Sequence, residues 1–415
     1  MPDSPLLRLD DPSLGPFDPV SEGRGLPDDA TPLAADAAPA AAAPEDGIGL
    51  CLSGGGYRAM LFHVGTVLRL NELGVLPQIA RVSSVSGGSI TAAVLGMGWT
   101  KLTFDDRGVA TNLDAVFVDP VCGIAGETID RSAIGWGTLL PGSISDRVVA
   151  ALRDLHFGEA TLQDLPGDAE GPRFVINASS LQTGSVVRMS RPYLADYRVG
   201  MIRDPKISLA AAVAASAAFP PMLAPCEIDV EPGDFDPDPS TQGELFRQPF
   251  NDTLVLADGG VYDNLGMETV WKRYRTVLVS DAGMAIGAEG EPATDWARMS
   301  YRIGQLVDNQ VRSLRKRALI AAFRSGDSAG AYWGIGTDIA DYGLPDSVPA
   351  KHEVTSRIAL TPTRLKRLSA SRQRPIIDWG YAVCDAAVRR WAPHVIGDGL
   401  GAAPDGTPLG TDLTV

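Results

Sequence analysis

Ser86, Asp258 and the glycines at 54–56 are the residues of this 415-residue sequence whose types and spacing suit them to act together. Ser86 sits in Ser84-Val85-Ser86-Gly87-Gly88, on a turn between a strand pattern and a helix pattern. That is the setting of a nucleophile elbow, where the hydroxyl stands clear of the sheet and the N–H of the next residue points to the same place. The pattern meets G-x-S-x-G except that Ser84 takes the first glycine position. Ser83, Ser84 and Ser89 are neighbouring hydroxyls, and Ser86 is preferred because Gly87 and Gly88 leave room where the turn and the incoming helix are tightest. A serine hydroxyl needs a base. The four histidines, His63, His156, His352 and His394, do not follow strand ends and read as packed or surface imidazoles. Two aspartates do leave strand ends: Asp258, ahead of Gly259-Gly260, and Asp281. Spacing leaves the choice between them open. In either case the carboxylate needs partial burial to raise its pKa and make it a useful base for an alcohol.

The run Gly54-Gly55-Gly56 gives up side-chain packing and raises the entropy lost on folding, so its gain is backbone N–H groups that can approach something negative. An ester carbonyl attacked by Ser86 develops such a charge, and Gly54, Gly55, Gly56 and Gly87 are the candidate oxyanion donors. Gly54-x-Gly56-x-x-Ala59 also satisfies the dinucleotide fingerprint, which calls for an acidic residue at the end of the second strand, about twenty positions on. Here that strand ends Ser83-Ser84-Val85-Ser86, so a nucleotide-binding oxidoreductase is the lesser alternative. Arg58 falls in the first turn of its helix, a poor place for a cation on dipole grounds, and is expected to brace the glycine loop or meet an anionic head group.

Several elements must position these groups. Strand 48–52, helix 57–73 closed by Gly74, strand 79–85 and helix 90–97 alternate within about fifty residues, which indicates a parallel sheet. An irregular insertion, 100–172, holds a helix pattern at 148–155 and is where a lid or acyl-chain wall is expected. Strands follow at 173–178 and 185–189. The charge-free stretch 207–226 is mostly alanine, interrupted by Ser208, Ser216 and Pro220-Pro221, and reads as a buried helix ending at Pro220 rather than a membrane span. Strand 253–257 delivers Asp258. Beyond it come a helix at 265–274, a strand at 276–280, a basic helix or broken pair over 294–324, an edge strand at 331–336 and a last helix at 374–391.

Of the net charge of −15, residues 1–46 supply ten acids against Arg8 and Arg24, and 229–252 supply seven acids against Arg247, which leaves the rest near −1. With no broad basic surface, nucleic-acid binding is not expected. Residues 1–46, rich in Pro, Ala and Asp and without apolar periodicity, read as a flexible acidic leader, and no secretory signal is apparent. The acidic 229–252 reads as an exposed loop. Its Asp234-Phe235-Asp236-Pro237-Asp238 resembles the start of a calcium loop, but Pro239 stands where the turn needs Gly and Leu245 where it needs a bidentate Glu, so calcium is not expected. Four dispersed cysteines fit reduced core thiols in a cytoplasmic protein.

Taken together, Gly54-Gly55-Gly56-Tyr57-Arg58, Ser84–Ser89, the small-residue block 214–220 and Asp258-Gly259-Gly260 resemble, in order, the motifs of the patatin-like phospholipase family. The resemblance spans roughly 48–280. It implies a three-layer α/β/α fold with a mainly parallel central sheet, as a catalytic domain over 47–392 followed by a loose tail at 393–415. It also implies a Ser–Asp dyad of Ser86 and Asp258 cleaving lipid acyl esters without cofactor or metal, and it is the resemblance that selects Asp258 over Asp281. The substrate is then a lipid at a membrane or micelle surface, with a cytoplasmic or membrane-peripheral location. A catalytically silent lipid-binding module is the main alternative. Within that resemblance Ser216 reads as a small packing residue.

Overall fold

The computed structural model describes residues 44–129, 144–283 and 286–415. The leader expected over 1–46 therefore falls outside the described residues up to position 43, as does 130–143 of the insertion. Glu45 and Asp46 are not part of a leader: β1 (Glu45–Leu52) already includes them. It runs through Ser53–Gly55 into α1 (Gly56–Glu72), and β2 (Ile79–Val85) runs through Ser86 into α2 (Gly87–Gly98). The insertion contributes α3 (Asp119–Ala125) and α4 (Ile144–Leu152). Then come β3 (Arg173–Ser180), β4 (Val186–Met189), β5 (Tyr193–Asp196), β6 (Gly200–Arg203) and α5 (Leu209–Ser216). The chain continues through β7 (Cys226–Asp229), β8 (Thr253–Asp258), β9 (Tyr274–Asp281), α6 (Trp296–Ser325), β10 (Ala329–Gly334), α7 (His352–Ala359) and α8 (Ala370–Trp391).

The sheet runs β10-β9-β1-β2-β3-β4-β5-β6, with β8 also on β3 and β7 on β8. β10, β9, β1, β2 and β3 are parallel and carry the loops of the site at their carboxyl ends. β4 to β8 pair antiparallel. Side chains alternate across the central strands, as the two-residue period of a strand requires. Leu50, Leu52 and Leu278 join the large core under α1, α2 and α8, whereas Cys51, Val277 and Val279 join a smaller one under Leu265–Tyr274 and α6. Both faces being covered, the strands read as apolar runs without alternation, and the expected three-layer α/β/α arrangement is the one observed.

α1 is held hard against α8. A Cβ at Gly65 would lie 1.9 Å from the Ile377 carbonyl oxygen, and one at Gly380 would lie 2.0 Å from that of Phe62. Only glycine permits this approach, and it fixes the axis of the helix whose first turn faces the site.

Several elements differ from expectation. Residues 265–274 form no helix: Gly266 takes the left-handed conformation at φ +68°, and the Asp263 carboxylate accepts from the N–H groups of Leu265 and Glu268, breaking the run into separate turns. The excursion 230–252 joins two paired strands and is anchored, with Phe235 packed edge-on to Phe246 and Asp236 paired to Arg203. The tail after Trp391 is not loose, since the Asp378 carboxylate accepts from the N–H groups of Leu409 and Thr411 and Leu413 is buried. Among the described residues no helix is long and apolar enough to cross a membrane.

Candidate active site

β2 and β8 approach the same edge of β3 from opposite directions, because β4 occupies the other edge over the same residues. Val85 pairs with Asn177, and Asp258 pairs with the next residue, Ala178. The ends of the two strands therefore meet. Ser86 follows one and Asp258 closes the other, and the Ser86 side chain favours the charged form of the Asp258 carboxylate.

Ser86 has φ +53° and ψ −122°, a conformation that L-residues rarely adopt, at the turn from β2 into α2. Its N–H donates to Ser216 Oγ (2.9 Å), and that hydroxyl donates in turn to the Asn177 carbonyl (2.6 Å). Ser216 is therefore a strut beneath the elbow and not merely a small packing residue. Asn177 Nδ2 adds bonds to Ser83 Oγ and the Ser84 carbonyl, both 2.9 Å. Ser84, at the first position of the elbow pattern, donates to the Val175 carbonyl (3.2 Å), so the serine that replaces glycine there is tied into the sheet. Replacing Ser216 by Ala leaves the buried Ser86 N–H and Asn177 carbonyl without this partner. We expect thermal stability to fall by about 1–3 kcal/mol, which urea or thermal unfolding of the two proteins measures.

Asp258 is 3% exposed. Burial pushes its carboxyl up to about 7, against the lowering effect of hydrogen bonds from Gly260 N–H and Ser86; Asp308 nearby raises it further. Gly260 N donates to Oδ1 at 2.8 Å. The Asp258 backbone is pinned as well, with its N–H on the Ala218 carbonyl and its C=O accepting from Ser179 Oγ. Gly259 is glycine because a Cβ there would lie 2.4 Å from the Asn177 carbonyl oxygen. The rival Asp281 is committed elsewhere: Oδ1 accepts from Gly283 N–H (2.8 Å) and lies 3.9 Å from Arg312 Nη1, and Oδ2 accepts from the Tyr332 hydroxyl (2.7 Å).

The glycine loop divides. The Gly54 N–H donates to the Asn264 carbonyl (3.0 Å), which removes it from the four candidate oxyanion donors. The N–H groups of Gly55, Gly56 and Gly87 have no partner among the described residues. Gly55 and Gly56 have φ of +146° and +61°, so the loop reverses where only glycine does so without strain. The first turns of α1 and α2 carry no acidic residue, leaving the positive ends of two helix dipoles aimed at the elbow. Asn264, which sequence reasoning missed, borders the same space. A Cβ at Gly54 would lie 2.3 Å from its Oδ1 and 3.2 Å from Ser86 Cβ.

Arg58 is fully buried and donates to the Ala282 carbonyl from Nε (3.0 Å) and Nη2 (2.9 Å), and to that of Thr361 from Nη1 (2.5 Å). These bonds tie the first turn of α1 to Ala282 and Thr361 and leave the guanidinium unexposed. Burial, with Arg312 close by, lowers its guanidinium to about 10.

Behind the loop, His63 is buried, which pushes it down to about 4, so it is neutral. Its Nε2 must carry the proton, because it bonds the Ser53 carbonyl (2.9 Å), and Nδ1 then accepts from Ser280 Oγ (2.9 Å). Thr66 and Trp333 extend the chain, which fixes the residue just before Gly54. The other three histidines are engaged away from the site, with Phe157, Ser356 and Thr276.

A family model described as patatin-like phospholipase matches residues 50–271 of the chain. No curated protein matches it. Among solved structures, human GIVD cytosolic phospholipase A2 is similar at 11% identity over 81% of this chain, with a TM-score of 0.45. VipD from Legionella pneumophila is similar at 14% identity over 82% of this chain and 66% of its own, with a TM-score of 0.33. The chain spans 60% of the length of the human enzyme.

Proposed function

This chain belongs to the patatin-like phospholipase family, and we propose that it is a serine hydrolase of lipid acyl esters working through Ser86 and Asp258. The observation that carries the reading is the meeting of the β2 and β8 ends, which sets Ser86 beside the buried Asp258 carboxylate, whose pKa burial raises to about 7. At neutral pH such a group can take a proton and give it back, as an acid–base catalyst must. In this reading Ser86 Oγ attacks the ester carbonyl while Asp258 accepts its proton. The N–H groups of Gly55, Gly56 and Gly87 receive the oxyanion. The tetrahedral intermediate collapses as Asp258 protonates the departing alkoxide, leaving an acyl-serine. Water, deprotonated by Asp258, then releases the fatty acid.

A fluorophosphonate probe tests the nucleophile. We expect one covalent adduct, mapped to the peptide containing Ser86, with labelling that slows as pH falls below 7. An adduct on another serine, or undiminished labelling of Ser86→Ala, would remove Ser86 from its role.

A further inference from the structure

α6 is 30 residues long, yet only Arg312 and Leu319 along it are buried. At 100° per residue, Trp296, Met299, Ile303, Leu306, Val307 and Leu314 fall on a stripe about 100° wide. The stripe lies opposite Arg312 and Leu319. All six are 43–78% exposed. Large apolar side chains scattered singly over a surface are ordinary, but six aligned on one helix face mark a surface that meets something.

The inner side of the same helix touches the site. Tyr301 packs edge-on to Phe219 at 6.5 Å, and Phe219 follows Ala218, whose carbonyl accepts the Asp258 N–H. Phe219, Met222 and Val261 add exposed apolar surface beside the Ser86–Asp258 pair.

Charge decides what fits. α6 carries six arginines and one lysine against Asp308, in a chain of net charge −15. By the same geometry Arg317 lies within the apolar stripe and Arg324 at its edge, and both are exposed. A second copy of the chain docked through this face would set these cations against each other. A phospholipid surface takes both features, the apolar side chains at the acyl boundary and the cations at phosphates, while the acidic remainder of the molecule is repelled and turned outward.

We propose that the outer face of α6 seats the protein on an anionic lipid surface, holding the Ser86–Asp258 site against the bilayer. The proposal rests on the lipid-hydrolase reading above. To separate the two, vesicle binding is measured with the full chain carrying Ser86→Ala, which removes turnover. Sedimentation with phosphatidylcholine vesicles containing phosphatidylglycerol is expected to show at least tenfold tighter binding than with phosphatidylcholine alone, weakening as salt rises. Brominated lipid is expected to quench emission that disappears in Trp296→Phe. Adding Ile303→Glu with Leu306→Glu is expected to weaken binding tenfold or more at an unchanged melting temperature; Trp296→Ser is the second variant should that pair fail to fold. Binding that survives these substitutions, or light scattering that shows a dimer which they dissolve, would overturn the lipid assignment. Hydrolysis of a short water-soluble ester by the wild type, without lipid, tests the hydrolase reading by itself. Its failure alongside intact vesicle binding would sink that reading and leave α6 as a lipid-docking element.

Discussion

Asp258→Asn is expected to lower ester turnover by about 10²–10⁴-fold, the range general-base catalysis supplies, and at the same time to make the protein more stable above pH 7. The two effects share one cause. Burial raises the Asp258 carboxyl to about 7, whereas in the unfolded chain it ionises as an ordinary aspartate. Between those two values the folded state holds a proton that the unfolded state has released, so this group's contribution to stability is full at low pH and is lost as pH rises through 7. The loss amounts to at most about 4 kcal/mol. Asparagine occupies the same space and never ionises. Its advantage over the wild type should therefore be small at pH 4, grow through the neutral range and level off above pH 7. Urea unfolding of both proteins at pH 5 and pH 8, beside turnover of a soluble ester, measures this directly. An equal stability difference at the two pH values would mean that Asp258 is not shifted, and loss of activity in Asp281→Asn alone would move the base to Asp281. The wild type should also gain kcat/KM as pH rises, with a midpoint near 7.

Gly87→Ala is expected to reduce turnover by about 10³-fold, the loss of one oxyanion donor being worth about 10²–10³. A Cβ at this position would lie 2.1 Å from the Gly56 carbonyl oxygen and 2.9 Å from its carbon. These are backbone atoms at the start of α1, so no side chain can swing away to make room. The elbow and the glycine loop must separate, which displaces the N–H groups of Gly55 and Gly56 along with that of Gly87. Overpacking of this kind also lowers stability by about 1–3 kcal/mol. Gly123→Ala, on α3, is the control: nothing lies within 4 Å of a Cβ there, and neither rate nor stability should fall. Equal rates for Gly87→Ala and wild type would remove the crossing of these two helices from the proposed mechanism.

Much of the architecture was legible in the sequence for definite reasons. The strands leading to the site are buried on both faces, so they read as uninterrupted apolar runs, and β2 matches its expected bounds residue for residue. Helix starts were less legible. Apolar periodicity begins at Ile90, but glycines that continue the helical turn carry no such signal, and α2 begins at Gly87. Residues 265–274 have the apolar spacing of a helix because they cover the sheet, yet Gly266 and the Asp263 carboxylate turn them aside. The tail looked loose because its few apolar residues are far apart, and its anchor, Asp378, lies on another helix.

The site divides in the same way. Gly54, Gly55 and Gly56 have identical side chains, and their N–H groups differ only in what lies opposite them. Asn264, more than 200 positions away in the chain, takes that of Gly54 and leaves the others. Ser216 gave no signal of its role, because a hydroxyl beneath an elbow and a small residue in a packed helix look alike until β3 brings Asn177 between them.

What the sequence by itself determined is the local chemistry: a serine at a strand-to-helix turn, three glycines at another, and two aspartates leaving strands. Each is encoded in a few consecutive residues, where backbone geometry restricts the choice. The spacing of these residues left the choice of carboxylate open, the family resemblance selected Asp258, and the tertiary structure supplies the reason why its strand reaches the elbow. β8 returns antiparallel along the edge of β3 that β2 vacates, so Asp258 arrives head-on at the elbow, while Asp281, on a parallel strand beyond β1, is held by Tyr332 and Gly283. That outcome depends on strand order and direction, which contacts between distant segments establish.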